Sequence, residues 1–332
     1  MYIIAEIGVN HNGSTEITEK LIELAAISGA HAVKFQHFKA DKLARVDTPK
    51  VEYQMQTSDP KESHFKMLKS LEISKEIEDL AIKKCSEFKL DFISTPYDPD
   101  SVDHLTNLGC KYIKTASADI VDHRIHKRIA STNAQALIAT GMATISEIKS
   151  CLEIYASAAK PPVLLHCVSN YPCSDQSLNL RVIVELAKTF NLELGFSDHS
   201  VGPRAATIAY SLGATYFEKH FTLDKAMKGP DHLASSNPIE FKELVDALKA
   251  TETILGKSNK EVQPEERQMR NVSRKSACTT RVIKMGEVIT LEAITMMRPG
   301  GGISGNAFFD LVGKIAANEI SKGAQITDKD YL

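Results

Sequence analysis

The sequence predicts an α/β chain: a (β/α)8 barrel of the TIM type followed by a small β-rich domain. Three observations lead there. Short apolar runs recur about eight times, each followed by turn residues and an amphipathic segment. The end of each run is polar. Near Gly256 the pattern stops, and a charged stretch leads into short strand-like pieces.

The runs are Tyr2–Ile7, Ala32–Gln36, Asp91–Thr95, Tyr112–Thr115, Ala136–Thr140, Val163–Cys167, Leu192–Ser197 and Tyr216–Phe221. Segments such as TEITEKLIELAAISGA and GPRAATIAYSLGA lie between them, with apolar residues at three-and-four spacing. Several close on Gly, as a helix C-terminus should. Continuous apolar strands alternating with helices imply parallel strands covered by helices. Eight such units in roughly 250 residues fit a closed barrel. An open doubly wound sheet would carry a Gly-rich phosphate turn after its first strand. Here that strand runs into EIGVNHNGS, which lacks the fingerprint. The longest interval, after the second strand, holds the polar stretch Asp41–Ser63, expected to be an excursion over one barrel mouth. The expected divisions are a barrel over 1–257, a linker over 258–273 and a β-rich domain over 274–332. A module of about 60 residues is marginally stable alone, so packing against another chain would help it.

Composition narrows the function. The net charge of the 332 residues is −2, which argues against a nucleic-acid footprint. No apolar run approaches the ~20 residues of a membrane span, and MYIIAEIGVN reads as a strand rather than a leader. The six cysteines form no CxxC pair and read as reduced structural thiols. A cytoplasmic protein without nucleic-acid or membrane partners is expected.

In such a barrel, functional residues stand at the C-terminal ends of strands. Lys34 and Lys114, with hydroxyls from Thr95, Ser117 and Ser197, would line a cationic pocket for a phosphate and a carboxylate. Lysine also forms Schiff bases, so an aldolase using Lys34, Lys114 or Lys219 stays open here. His199 and His220 end neighbouring strands. Two histidines beside a carboxylate suit a divalent metal with open positions, which can polarise a carbonyl. His11, His166 and His232 are weaker metal candidates, and His11 reads as loop-shaping. Gly300, Gly302 and Gly305 have GxGxxG spacing, but too little chain follows for a dinucleotide unit. They read as a turn permitting close backbone approach.

Seven motifs in one order, AEIGVNHNG, VKFQ, ISTP, ATGM, GFSDHS, EKHFT and GPDHLAS, resemble the sialic acid synthase family. The C-terminal KMGEVIT and RPGGGIS resemble its antifreeze-like, or SAF, domain. The resemblance spans nearly the whole chain. It implies a barrel that binds phosphoenolpyruvate and a divalent ion, commonly manganese, with magnesium and cobalt as alternatives. It also implies a domain-swapped homodimer in which one chain's small domain closes over its partner's barrel. On matching positions, Lys34, Thr95, Lys114, Ser117 and Ser197 would hold phosphoenolpyruvate, and His199 and His220 the metal. Gln36, Tyr171 and Asp231 would contact an N-acylated amino sugar, and Arg298 would reach the partner's site to meet the N-acyl group.

Four departures stand out. KTASAD places Asp119 where the family has a glutamate. Ala139 stands before TGM where serine is frequent. VSNYP offers Ser169 and Asn170 for one asparagine position. The Asp41–Ser63 stretch matches no family motif. Glu6 and Asp119 are the candidates to position or deprotonate water. The implied reaction joins phosphoenolpyruvate to an N-acetylmannosamine-like aldehyde and releases phosphate, as in an N-acetylneuraminate synthase. Competing expectations are a legionaminate- or pseudaminate-type synthase using a 6-deoxy-diacetamido sugar, another phosphoenolpyruvate-dependent sugar-acid synthase, a Schiff-base aldolase, and a non-catalytic glycan-binding protein.

Overall fold

The computed structural model describes residues 1–50 and 62–332. Residues 51–61 of the Asp41–Ser63 stretch lie outside the described residues. The chain divides into two compact units, Met1–Gly256 and Lys257–Leu332.

The first unit is a closed barrel of eight parallel strands in sequence order. They are β1 (Tyr2–Gly8), β2 (Ala32–His37), β3 (Asp91–Pro96), β4 (Tyr112–Thr115), β5 (Gln135–Ala139), β6 (Val163–Cys167), β7 (Leu194–Asp198) and β8 (Tyr216–His220). β4 and β6 coincide with the runs read in the sequence, and the other six differ from them by one or two residues at one or both ends, where ladder bonds pass into turn bonds. Successive strand side chains alternate between faces. Val33, Phe35, Ile138, Phe196 and Phe217 face outward and join the main core with Leu21, Ile77, Ile125 and Leu186 of the covering helices. Ile4, Ala32, Ile93, Leu137, Val163 and Leu165 fill the lower interior. Beneath them, the rings of Tyr2, Tyr112 and Tyr216 meet with centroids 5.2, 5.4 and 6.3 Å apart. The barrel is apolar and stoppered at the strands' N-terminal ends, so only the other end is open to chemistry.

Helix starts follow local chemistry. Ser14, Ser74 and Asp98 cap their helices with side-chain oxygens. Thr144–Glu147 and Asn237–Glu240 form reciprocal capping boxes. Gly29, Gly109 and Gly213 follow helix ends with positive φ.

The second unit holds an antiparallel pair, β9 (Ser276–Thr279) and β10 (Ile294–Met297), around a small core that includes Ile283, Ile289, Leu311 and Ile326. The polar stretch before it contains a helix, Glu266–Ser273, with no buried residue. At Gly302 an added Cβ would lie 2.5 Å from Gln325 Cγ and 2.7 Å from the Ile326 carbonyl. The glycine there allows close backbone approach. Arg298 is exposed on this unit.

Leu137 is fully buried in the barrel interior. Leu137→Ala should therefore cost about 2–5 kcal/mol, whereas Ile254→Ala, at a residue 82% exposed, should cost under ~0.5 kcal/mol. Urea unfolding of the two variants checks the contrast.

Candidate active site at the barrel mouth

Strand register assembles the site. Glu6 on β1 pairs in register with Lys34 on β2 and with His220 on β8. Gln36 lies opposite Thr95, and Ser197 opposite Glu218. Lys34 Nζ sits 2.8 Å from Glu6 Oε2 and donates to Thr95 Oγ1 at 2.9 Å. Gln36 donates to the other Glu6 oxygen at 3.1 Å. Lys114 Nζ lies 3.5 Å from Glu218 Oε2, and Ser197 donates to Glu218 Oε1 at 3.0 Å. Two ammonium groups and two carboxylates thus share one buried space.

Their environment separates the two carboxylates. Burial pushes Glu6 up; Lys34 opposes the shift and the charge of Glu218 adds to it. Burial also works to raise Glu218, but Lys114 and Lys34 outweigh it and hold that carboxyl below its usual range. One member of the pair is readily protonated and the other stays ionised. For Lys34, burial disfavours the ammonium, yet Glu6 and Glu218 prevail and its pKa is raised.

Beside these groups lies a cradle. A Cβ at Gly141 would stand 2.6 Å from Ser169 Oγ, 2.7 Å from Ser117 Oγ and 2.9 Å from Cys167 Sγ. Only glycine leaves room there for three polar atoms to converge. Ser117 accepts from the Gly141 amide at 3.2 Å. Of the two residues offered by VSNYP, Ser169 reaches the cradle, while Asn170 is exposed. Ala139 is buried and offers no donor.

The His199 and His220 rings stand 5.6 Å apart, and Tyr171 lies against both, at 4.1 and 5.7 Å. His199 Nδ1 donates to the Val168 carbonyl at 2.8 Å, which leaves the Nε2 lone pair free. His220 Nδ1 is buried without a hydrogen-bond partner among the described residues. Burial lowers both imidazoles, His220 to about 3, so both are neutral at pH 7. Neutral imidazoles with an uncommitted nitrogen, next to an ionised Glu218, fit a divalent cation. Gln36, Tyr171, His220 and Asp231 line a cavity of about 210 Å³, walled on one side by Phe38, Met67 and Leu71. Burial raises the Asp231 carboxyl to about 6, against the pull of Lys34. Burial and then the charge of Asp122 likewise raise Asp119 to about 6, and Asp119 Oδ2 has no partner among the described residues.

Other polar residues are placed elsewhere. Lys219 shares the outward phase of Phe217, behind the barrel wall. It donates to Asp198 Oδ2 and the Ser200 carbonyl, each at 2.6 Å. It is therefore no mouth lysine, and the Schiff-base reading loses one of its candidates. His11, His166 and His232 hold loops: the Gly13 amide donates to His11, His166 bonds the Leu178 carbonyl, and His232 bonds Thr222. His37, Glu78 and His104 form a second His/Glu/His group, with ligand atoms within 4.8 Å of one another, a donor set that suits a divalent ion. His37 has the outward phase of Val33 and Phe35, so this group lies between the barrel wall and the helices. Sequence reasoning passed over Glu218 as a site residue, and Cys167 and Gly141 with it. Strict alternation along EKH, placing Glu218 on the same face as His220, was the available signal.

Two family models cover most of the chain: the NeuB family over residues 21–260 and the SAF domain over residues 274–332. The chain is 38% identical to an N,N'-diacetyllegionaminic acid synthase of Legionella pneumophila, over 98% of this chain and 93% of that protein. It is also 38% identical to the N,N'-diacetyllegionaminic acid synthase of Campylobacter jejuni, over 98% of each. Among solved structures, an N-acetylneuraminic acid (sialic acid) synthetase from Leptospira borgpetersenii matches at 30% identity with a TM-score of 0.71, covering 81% of this chain and 89% of that one. With the barrel, the mouth and the small β unit described above, these matches make the chain a member of the NeuB family with a C-terminal SAF domain.

Proposed function

We propose that this chain condenses phosphoenolpyruvate with an N-acylated amino-sugar aldehyde and water, releasing phosphate and a nonulosonic acid. The observation that carries the reading is the convergence at one mouth of a lysine-and-hydroxyl pocket, a neutral histidine pair and a sugar-sized cavity. The names of the relatives support a diacetamido sugar, giving a legionaminate- or pseudaminate-type product, over the N-acetylmannosamine first expected from sequence.

Lys34 and Lys114, with Thr95, Ser117 and Ser197, bind the phosphate and carboxylate of phosphoenolpyruvate, and Ser169 adds a hydroxyl at the Gly141 cradle. His199 and His220 would hold a divalent ion, which supplies Lewis-acid polarisation of the aldehyde oxygen. Gln36, Tyr171 and Asp231 orient the open-chain sugar. The enol carbon attacks the aldehyde carbon, and the aldehyde oxygen takes a proton to become a hydroxyl. Carbon two, now oxocarbenium-like, receives water. Glu6, whose raised pKa suits proton exchange, gives the aldehyde oxygen its proton and takes the second water proton as the ketone forms, while Asp119 accepts the first and passes it to the departing phosphate. Cleavage of the carbon–oxygen bond to phosphate then leaves a keto group. A Schiff-base lyase is disfavoured, because Lys34 is held protonated and a nucleophilic amine must be neutral.

The small unit completes the site in the partner chain. Val121, Met142, Val201 and Leu233 stand exposed in the loops after β4, β5, β7 and β8. Such an apolar rim around a polar mouth suits a covering domain, and Arg298 supplies a five-donor guanidinium for the N-acyl group.

Phosphate release from phosphoenolpyruvate, measured over a panel of amino sugars, tests the reaction. A 2,4-diacetamido-2,4,6-trideoxy hexose should be turned over faster than N-acetylmannosamine, and chelation should abolish turnover until manganese is restored. No release with any sugar sinks the reading. The pH profile should fall on the acid side through about 6, since Asp119 accepts a proton only when ionised and its folded pKa is raised to about 6. Asp119→Asn should lose that limb and cost about a hundredfold in turnover; a limb that persists belongs to another group. Arg298→Ala and His220→Ala chains should each be nearly inactive alone. Purified mixed dimers should recover part of the activity, because one barrel then has intact metal ligands facing an intact Arg298. Folded mixed dimers without recovery would mean that each site is built within one chain.

A further inference from the structure

The turn that carries Ser117 and Asp119 is steered from behind the barrel wall. It is a 3-10 turn, Ser117–Val121, directly after β4. Asp119 Oδ2 has no hydrogen-bond partner among the described residues. Among the described residues the turn at Asp119 is held through its main chain. The Asp119 amide donates to the Ala116 carbonyl at 3.1 Å, and the Asp119 carbonyl accepts from the Asp122 amide at 2.8 Å. The same carbonyl meets His126 Nε2 at 3.1 Å.

That last bond fixes a tautomer. A carbonyl oxygen only accepts, so the proton sits on Nε2. Burial lowers the imidazole to about 4; the carbonyl bond and Asp122 work the other way, and His123 adds to the lowering. The ring is neutral, and Nδ1 has only a lone pair. Nδ1 lies 2.9 Å from the Tyr155 hydroxyl, which must then donate, and 3.3 Å from Cys151 Sγ. His126 and Cys151 are fully buried and Tyr155 nearly so. Tyr155 follows the helix Ile145–Glu153, and His126 lies in the helix His123–Ala130. The link thus runs from one helix through a second to the turn.

We propose that His126, its tautomer fixed by the Asp119 carbonyl and its ring braced by Tyr155, is a positioning residue that aims Asp119 at the reacting water. The proposal rests on the reading of Asp119 as proton acceptor. A buried polar chain of this kind satisfies its own members only in one arrangement. Moving the turn by a fraction of an ångström would redirect a carboxylate whose Oδ2 has no partner among the described residues.

The tautomer is read without substrate, by long-range nitrogen–proton NMR of labelled protein. Wild type should show His126 as the Nε2–H form only, and Tyr155→Phe, which keeps the ring but loses the donor, should keep that form with a shifted Nδ1 resonance. In kinetics, His126→Leu should lower kcat about tenfold or more and move the acid limb from about 6 toward the ordinary value near 4. His126→Gln, whose side-chain amide can reach the same carbonyl, should restore most of kcat and return the limb. Tyr155→Phe should fall between them with an unchanged fold by circular dichroism. An Nδ1–H imidazole in wild type overturns the proposal. So do folded His126→Leu and Tyr155→Phe chains with wild-type kcat and an unmoved limb. A wild-type chain that releases no phosphate from any sugar removes the functional reading instead, and the tautomer still decides the tie.

Discussion

The barrel mouth depends on pairing buried charge. Lys34 with Glu6 and Lys114 with Glu218 sit where water is nearly excluded. An unpaired ion at such a depth costs on the order of several kcal/mol. The pairs meet that cost only because parallel strands in fixed register bring their side chains to one level. A slip of one residue in β1 or β8 would turn Glu6, Glu218 and His220 into the apolar layer against the helices. Register, held by the packed outer core, is therefore what makes the charged mouth tolerable. The lower interior can be purely aliphatic and aromatic for the same reason: alternation delivers polar groups inward only near the strand ends.

Behind the wall, polar residues hold the strand ends that present the site. Lys219 ties to Asp198 and to the Ser200 carbonyl, so the residue before His220 is clamped to the residue before His199. His37, next to Gln36, bonds Ser94 at 2.6 Å and Glu78 at 2.7 Å, and Glu78 also meets His104 at 2.6 Å. Burial would raise the Glu78 carboxyl, but its bonds to His37 and His104 bring it down to about 2. Inward residues face the mouth, and their outward neighbours fix where the strands stop.

The strands and the polar mouth were legible because periodicity is a local property. Period two separates the barrel's faces, and strand ends collect polar residues, so Glu6, Lys34, Lys114, His199 and His220 could be placed at the strand ends from the sequence alone. Which way a residue faces when two polar residues adjoin was harder. In EKH all three residues are polar, and Lys219 drew notice as a nucleophile while Glu218 did not. The structure reverses those weights. In VSNYP the two adjacent candidates separate only when the loop brings Ser169 toward Gly141. The cradle at Gly141 joins strands four, five and six, and no local pattern encodes a three-way meeting. The same holds for the Tyr155–His126–Asp119 chain, whose members lie on separate elements.

The tyrosine stopper has a kinetic consequence. Tyr2, Tyr112 and Tyr216 close one end of the barrel, so the reaction chamber is a blind tube with a single doorway. Whatever rests deepest must arrive first and depart last. On the proposed function the lysine pocket lies deeper than the sugar cavity. Traffic is then sequential: the anion enters, the sugar follows and shuts it in, and the large product must clear the doorway before inorganic phosphate can escape.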